Sequence, residues 1–298
     1  MSIINGFSTS INSQYFTGET ECLRLLWACE QVWGSLNGKR LLEPSVGSGA
    51  FIKATKARQL NVQWITNELF PDGNAFEADF NEDFMTLTPD EVGPIDIVIG
   101  NPPYSGNVQW KGKKQPLGWA FVLHALTFAD RVAMVLTPKC LRAVMLSALP
   151  SDVGVVAYTE PSNATYNLGG SGGGEDKDVN TSIVLFERMS SFQNDYALLS
   201  GEIDGIELLP KNQTDKATHM LQMWGGSNAR AVDGSWGRQI PYAIEIPLEV
   251  TTPEAEALLA SGVVGKTPAH FTATSSMTND EEMKHLILYA QTHTEREK

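Results

Sequence analysis

GKRLLEPSVGSGAF, Gly38 to Phe51, is the stretch on which the fold turns. Leu41 and Leu42 make a short apolar run, Gly47 and Gly49 follow, and a helical pattern begins near Phe51. A buried strand passing through a glycine turn into a helix opens a βαβ unit. The two glycines let the backbone turn tightly and approach a ligand, with a helix N-terminus directly behind them. The G-x-G spacing lacks the third glycine of the dinucleotide pattern, which disfavours a nicotinamide cofactor.

The same alternation continues on both sides. Upstream, ETECLRLLWACEQVW (Glu19 to Trp33) sets Leu23, Leu26, Trp27, Cys29 and Val32 near the spacing of a helix with one buried face. Downstream, VQWITNEL is a second strand, NAFEADF a weaker third, and IDIVIGNPPY a fourth, preceded by the breakers Gly93 and Pro94. GWAFVLHALTFA is helical in pattern, whereas RVAMVLTP and VNTSIVLFERM are strand-like. Short β-branched runs alternating with helices imply an α/β fold, a doubly wound parallel sheet covered on both faces. From Ser190 the pattern gives way to a smaller C-terminal region with WGGSN and DGSWG turns and a terminal helix, NDEEMKHLILYAQTHTEREK. The tract NLGGSGGGEDKD, Asn167 to Asp178, reads as a loop.

A chain of 298 residues has room for one large α/β domain plus a small appendage. No stretch approaches the roughly 18 apolar residues of a membrane helix, and MSIINGFSTS lacks the basic and apolar blocks of a signal peptide, so a cytoplasmic protein without a membrane partner is expected. Cys22, Cys29 and Cys140 are widely spaced without a CxxC, which indicates buried, reduced thiols and no metal site. A net charge of −13 disfavours broad attraction to polyanions, so any nucleic-acid contact has to be local.

Ligands of doubly wound sheets bind beyond the carboxyl ends of the strands, and the unusual residues of this chain fall there. Glu68 follows the second strand, where a carboxylate can accept from both hydroxyls of a ribose. Asp79 follows the third and could accept from an exocyclic amino group, with Asp83 its rival. DIVIGNPPYSGN ends the fourth. Pro102 biases Asn101 toward extended backbone, and Pro102 and Pro103 offer no amide hydrogens, so carbonyls are left to accept. The Asn101 oxygen and the Pro102 carbonyl make a rigid pair of acceptors, and Tyr104 adds a flat face beside them. Two acceptors and an aromatic plate suit a planar group bearing an NH₂.

With EPSVGSGAF upstream and NPPY after a buried strand, the chain resembles the S-adenosylmethionine-dependent amino-methyltransferases, particularly the DNA adenine-N6 methyltransferases. QYFTG, Gln14 to Gly18, resembles the segment that in the gamma order precedes the glycine motif, with glycine where those enzymes usually have proline; NTSIVLFER resembles the strand beside their target-base pocket. The resemblance covers about residues 12 to 189. It implies a Rossmann-like methyltransferase sheet with residues 1–189 as the catalytic domain, which leaves 190–298 as a small C-terminal region and a candidate for target recognition. It implies S-adenosyl-L-methionine contacted by Tyr15, Phe16, Thr17, Glu43, Gly47 and Gly49, with Glu68 on its ribose and Asp79 on its adenine. Asn101 and Pro102 would hold the substrate amino group, Tyr104 would stack on a base flipped out of DNA, and Tyr166 is the nearest counterpart of a second aromatic.

The charge objection has a local answer. SGNVQWKGKKQPLGW sets Lys111, Lys113 and Lys114 among Trp110 and Trp119, a composition suited to phosphates and unstacked bases. In the C-terminal region, Lys211, Lys216, Arg230 and Arg238 among amides and tryptophans form a candidate recognition surface. Rival readings are methylation of a release-factor glutamine, whose enzymes also use NPPY, methylation of an RNA base, and a non-catalytic DNA-binding protein. The chain's brevity and the lack of a nuclease motif suggest a stand-alone, phage-type DNA methyltransferase.

Overall fold

The structure is a computed structural model that describes residues 15–69, 76–104, 106–110, 113–141, 143–159, 162–168, 176–190, 203–210, 213, 215–224, 228–233, 244–260, 284, 287–288 and 291. Along the chain the elements are β1 (Tyr15–Phe16), α1 (Glu19–Trp33), β2 (Arg40–Glu43), α2 (Ala50–Ala57), β3 (Gln63–Thr66), α3 (Pro89–Val92), β4 (Ile97–Gly100), β5 (Asn107–Trp110), β6 (Lys113–Pro116), α4 (Leu117–Ala125) and β7 (Arg131–Leu136). They continue with α5 (Ala143–Leu146), β8 (Val153–Tyr158), β9 (Ser162–Leu168), β10 (Asp176–Arg188), β11 (Ile206–Leu208), β12 (His219–Trp224), β13 (Asn228–Asp233), β14 (Ile244–Val250) and α6 (Pro253–Ala260). Two compact units result, one of residues 1–140 and 149–194, the other of 141–148 and 195–298.

In the first unit β3, β2, β4 and β7 lie side by side and parallel. β10 joins antiparallel to β7 and carries β8 on its other side. This is the doubly wound, Rossmann-like α/β sheet expected from the strand-turn-helix pattern. Ile97, Ile99, Ala133, Val135, Ile183 and Leu185 alternate along three strands onto one face, where α1 buries Cys22, Leu25, Leu26 and Cys29. On the opposite face α4 is buried nearly all round, and Trp119 meets the ring of Phe186 edge-on at 6.0 Å. With apolar layers on both sides, central strands such as β4 are buried at every position and read as continuous apolar runs.

Three expectations are corrected. The α1 stripe is rotated: Trp27 is 60% and Val32 39% exposed, while Cys22 and Leu25 take the core positions. Both sets satisfy helical spacing, and the register that buries two adjacent leucines, each worth about 2 kcal/mol, places Trp27 in solvent. Among the described residues the third strand shrinks to one bridge between Asn67 and Phe80. Its pairing is replaced by Asp79, whose Oδ2 accepts from both the backbone N–H and the hydroxyl of Thr66, each at 2.8 Å. The sheet is also not wholly parallel, because β10 returns antiparallel and extends beyond the core to pair with β9, which in turn pairs with β1.

The second unit has an antiparallel sheet of order β11-β14-β12-β13. Leu248 on β14 and Ala255 and Leu259 on α6 are buried. Lys284, Ile287, Leu288 and Gln291 are helical, and the rest of the expected terminal helix lies outside the described residues, as do Lys211, Arg238 and residues 169–175 of the glycine tract. Among the described residues no helix is long and apolar enough to cross a membrane. All three cysteines are buried and free, and burial pushes the Cys140 thiol up to about 12.

Candidate active site

The carboxyl ends of β2, β3 and β4 place three loops side by side. The loop after β2 is threaded onto Asn67: the Val46 N–H donates to the Asn67 carbonyl at 2.9 Å, and Asn67 Nδ2 donates to the Pro44 carbonyl at 3.1 Å and to the Glu82 carbonyl at 3.0 Å. Asn67 thereby ties together the turn, the end of β3 and the segment after Asp79. Nothing in the sequence reading singled it out, although its place beside Glu68 in TNE was a signal that a polar side chain sits at the strand end.

Gly47 and Gly49 both have positive φ, 50° and 71°, which L side chains rarely adopt. At Gly49 a Cβ would lie 2.6 Å from Cδ2 of Phe76, so the ring of Phe76 rests directly against the turn. The Gly47 N–H donates to Glu68 Oε2 at 2.9 Å. Glu68 is buried, and so is Glu43, whose Oε2 has no hydrogen-bond partner among the described residues. Burial, reinforced by the charge of Glu68, holds the Glu43 carboxyl well above the usual carboxylate range. Asp83, the rival of Asp79, spends Oδ1 on the Met85 N–H of its own turn at 3.0 Å.

The loop after β4 meets this turn closely. Gly100 keeps the two loops tight, since a Cβ there would press on Pro44 Cδ at 3.1 Å. One residue on, the Ser45 hydroxyl donates to the Asn101 carbonyl at 3.3 Å. Asn101 Nδ2 donates to Thr17 Oγ1 at 2.8 Å, which brings the N-terminal QYFTG segment against the NPPY loop. Backbone pairing of Tyr15 with Leu168 and of Phe16 with Asn167 holds that segment in place. Behind the loop, α4 packs close to the prolines at Gly118, where a Cβ would lie in ordinary contact with Pro102 Cγ and the Pro103 carbonyl, both at 3.6 Å.

Tyr104 and Tyr166 meet at 5.7 Å between ring centroids with planes 88° apart. Tyr166 is fully buried and its hydroxyl hydrogen-bonds Thr181 Oγ1 at 2.9 Å. The glycine tract separates Tyr166 from NTSIVLFER in sequence only, because β9 folds back along β10 and sets Tyr166 opposite Lys177. In this arrangement Tyr166 braces the Tyr104 ring edge to face instead of lying parallel to it as a second plate. Burial and the Tyr166 hydroxyl hold the Tyr104 phenol well above its ordinary range.

The structure thus gathers Thr17, Glu43, Gly47, Gly49, Glu68, Asn101, Pro102, Tyr104 and Tyr166 around adjoining loops, with Asp79 at the end of β3. Tyr15 and Phe16 are placed by backbone pairing alone. Lys113 and Lys114 are placed by the β5–β6 ribbon, and Lys111 lies outside the described residues. Among the described residues no group of His, Cys, Asp and Glu could hold a metal ion.

Comparison with known proteins gives likeness of shape only. No family model matches the chain, and no curated protein matches it. A candidate RNA methyltransferase from Pyrococcus horikoshii is 19% identical, with 62% of this chain and 93% of that one covered and a TM-score of 0.45. The methyltransferase subunit of a type I restriction-modification system from Streptococcus thermophilus is 17% identical over 59% of this chain, with a TM-score of 0.45, and this chain spans 45% of that subunit. A candidate class I S-adenosylmethionine-dependent methyltransferase from Listeria monocytogenes is 12% identical over 63% of this chain and 64% of that one, with a TM-score of 0.45.

Proposed function

We propose that this chain is an S-adenosylmethionine-dependent DNA adenine-N6 methyltransferase. The observation that supports it most is the bonding of Asn101 to two other loops, to Thr17 through its side chain and to Ser45 through its carbonyl. That bonding draws the NPPY loop against Thr17 and the glycine turn, as a planar-amine receptor beside a nucleoside-bearing cofactor would require.

The residues present fit that cofactor. Two positive-φ glycines leave the turn open to close approach, and Glu68 stands at its edge as an acceptor for ribose hydroxyls. Asp79, tied to Thr66 at the end of β3, would accept from the adenine amino group. The buried Glu43 carboxyl, which keeps its proton in the folded state, could donate or accept a further hydrogen bond near the turn. When bound, S-adenosylmethionine supplies an electrophilic methyl group on a sulfonium centre.

The adenine amino nitrogen is a poor nucleophile because its lone pair is delocalised into the ring. Asn101 Oδ1 and the Pro102 carbonyl would accept its two hydrogens, favouring the pyramidal geometry in which the lone pair is localised and aimed. Pro102 and Pro103 fix the direction of these acceptors, Thr17 fixes the plane of the Asn101 amide, and Gly118 backs the prolines. Tyr104, braced by Tyr166, would replace part of the stacking an adenine loses on leaving the duplex.

The test is incubation with labelled S-adenosylmethionine and, separately, DNA, RNA and a release factor, followed by mass spectrometry of the methylated atom. N6-methyladenine in DNA is the expected product. Label only in RNA or in a protein glutamine would overturn the choice of substrate, and no label in any of them would overturn the activity.

A further inference from the structure

Tyr166 entered the sequence reading as a second aromatic beside the target base, yet the fold seals it away: it is 0% exposed, where a substrate does not reach. β9 and β10 pair Tyr166 with Lys177, Ala164 with Val179 and Ser162 with Thr181. Alternate residues of a ribbon share a face, so Tyr166 and Thr181 project on the same side. The buried Thr181 hydroxyl meets the Tyr166 hydroxyl there at 2.9 Å.

From Tyr166 the contacts lead into the site. The Tyr104 hydroxyl is buried. Its hydrogen-bonding partners are the Tyr166 hydroxyl and the Asn101 side chain. Asn101 in turn donates an amide N–H to Thr17 Oγ1 at 2.8 Å. Thr181, Tyr166, Tyr104, Asn101 and Thr17 thus run in series from the β9–β10 ribbon through the NPPY loop to the residue that follows β1.

Packing alone does not call for these hydroxyls. Valine and phenylalanine would fill the places of Thr181 and Tyr166 without the cost of taking a hydroxyl out of water, and a stacking plate at position 104 needs only its ring. What the hydroxyls add is orientation, because a buried series of hydrogen bonds fixes its members relative to one another and each bond polarises the next.

Resting on the methyltransferase reading above, we propose that Tyr166 and Thr181 are positioning residues for methyl transfer, acting through the Tyr104 hydroxyl on the Asn101 amide. Donation runs one way, from Thr181 to Tyr166, to Tyr104 and to Asn101 Oδ1, while Asn101 Nδ2 donates to Thr17. The amide is then held at both its oxygen and its nitrogen, and the second lone pair of Oδ1 stays open for the substrate amino group. Tyr104 has two tasks, its ring for the base and its hydroxyl for the asparagine.

The test measures single-turnover methyl transfer, KM for DNA, S-adenosylmethionine affinity and melting temperature in the full chain and its variants. Tyr166→Phe should slow the single-turnover rate about fivefold, the loss of one hydrogen bond, with KM and cofactor affinity unchanged. Adding it to Tyr104→Phe should cost nothing further, because the route to Asn101 is already cut. Tyr166→Phe/Thr181→Val, which removes both partners of a buried bond, should melt with the parent and remain about fivefold slow. Three results overturn the positioning role and leave the methyltransferase reading standing: parental rates in Tyr166→Phe, a rate that recovers with the melting temperature in Tyr166→Phe/Thr181→Val, or a full further loss in Tyr104→Phe/Tyr166→Phe. Failure of the parent to methylate DNA overturns both.

Discussion

Asn101 and Thr17 stand 84 residues apart in the chain and are joined by a 2.8 Å hydrogen bond from the asparagine amide nitrogen to the threonine hydroxyl. With the nitrogen bound in this way, the plane of the amide is set and its oxygen is directed before any substrate arrives. Preorganisation of this kind is most valuable where charge shifts in the transition state.

Replacing Asn101 with alanine should therefore slow methyl transfer by a hundredfold or more, about 3 kcal/mol of transition-state stabilisation. Thr17→Val, which removes only the hydrogen bond that sets the amide, should cost about fivefold in kcat, in line with a single bond worth about 1 kcal/mol. Single-turnover rates on DNA decide it, and near-parental turnover in purified Asn101→Ala would sink the assignment.

Glu68 accepts from the Gly47 N–H in the free protein, so it supports the turn as well as standing ready for a ribose. Glu68→Ala should weaken S-adenosylmethionine binding by about tenfold to a hundredfold, the equivalent of a charge-assisted hydrogen bond of about 1.5–3 kcal/mol. Calorimetric titration measures this directly. Equal affinities in parent and variant would remove Glu68 from the cofactor site.

Glu43 gives the stability a pH dependence of definite sign. Its carboxyl is held above the usual range by burial and by Glu68, so the folded state keeps a proton that the unfolded chain releases. Below the unfolded pKa both states are protonated and nothing is lost; as pH rises above it, unfolding is progressively favoured until the folded pKa is passed. Melting temperatures taken from pH 4 upward should fall for this reason, and Glu43→Gln should flatten that fall. A variant curve parallel to the parent's across the whole range would show that Glu43 carries no such proton.

Gly49→Ala combines two penalties. A residue with a side chain at φ 71° costs about 1–2 kcal/mol, and the new Cβ would press on the Phe76 ring at 2.6 Å. The variant should melt several degrees lower, and Phe76→Ala in the same background should restore only the steric part. Full recovery in the double variant would mean that backbone strain contributes nothing.

Much of the site was legible because its chemistry is local. A strand, a glycine turn and a helix occupy consecutive residues from Arg40 to Ala57, and the Asn-Pro-Pro-Tyr run advertises its own stiffness. Features made by distant pairing were not legible. β8 and β9 find their place only by pairing with β10, Asn67 gains its role from carbonyls on two other loops, and Asp79 replaces a strand whose apolar pattern was too weak to keep its ladder. The stripe of α1 was misjudged because two helical faces satisfied the same spacing, and only the sheet decides between them.

β10 serves two structures at once. Its C-terminal half lies in the core between β7 and β8, and its N-terminal half runs out to carry β9, on which β1 rests. The earliest strand, β1, is thus seated on β9, which is held by β10, the last strand of this sheet to leave the ribosome, and Thr17 follows β1 directly. Alignment of Asn101 by Thr17 must then wait for synthesis to pass Arg188, so a nascent chain can own its glycine turn and its NPPY loop long before it owns a working receptor.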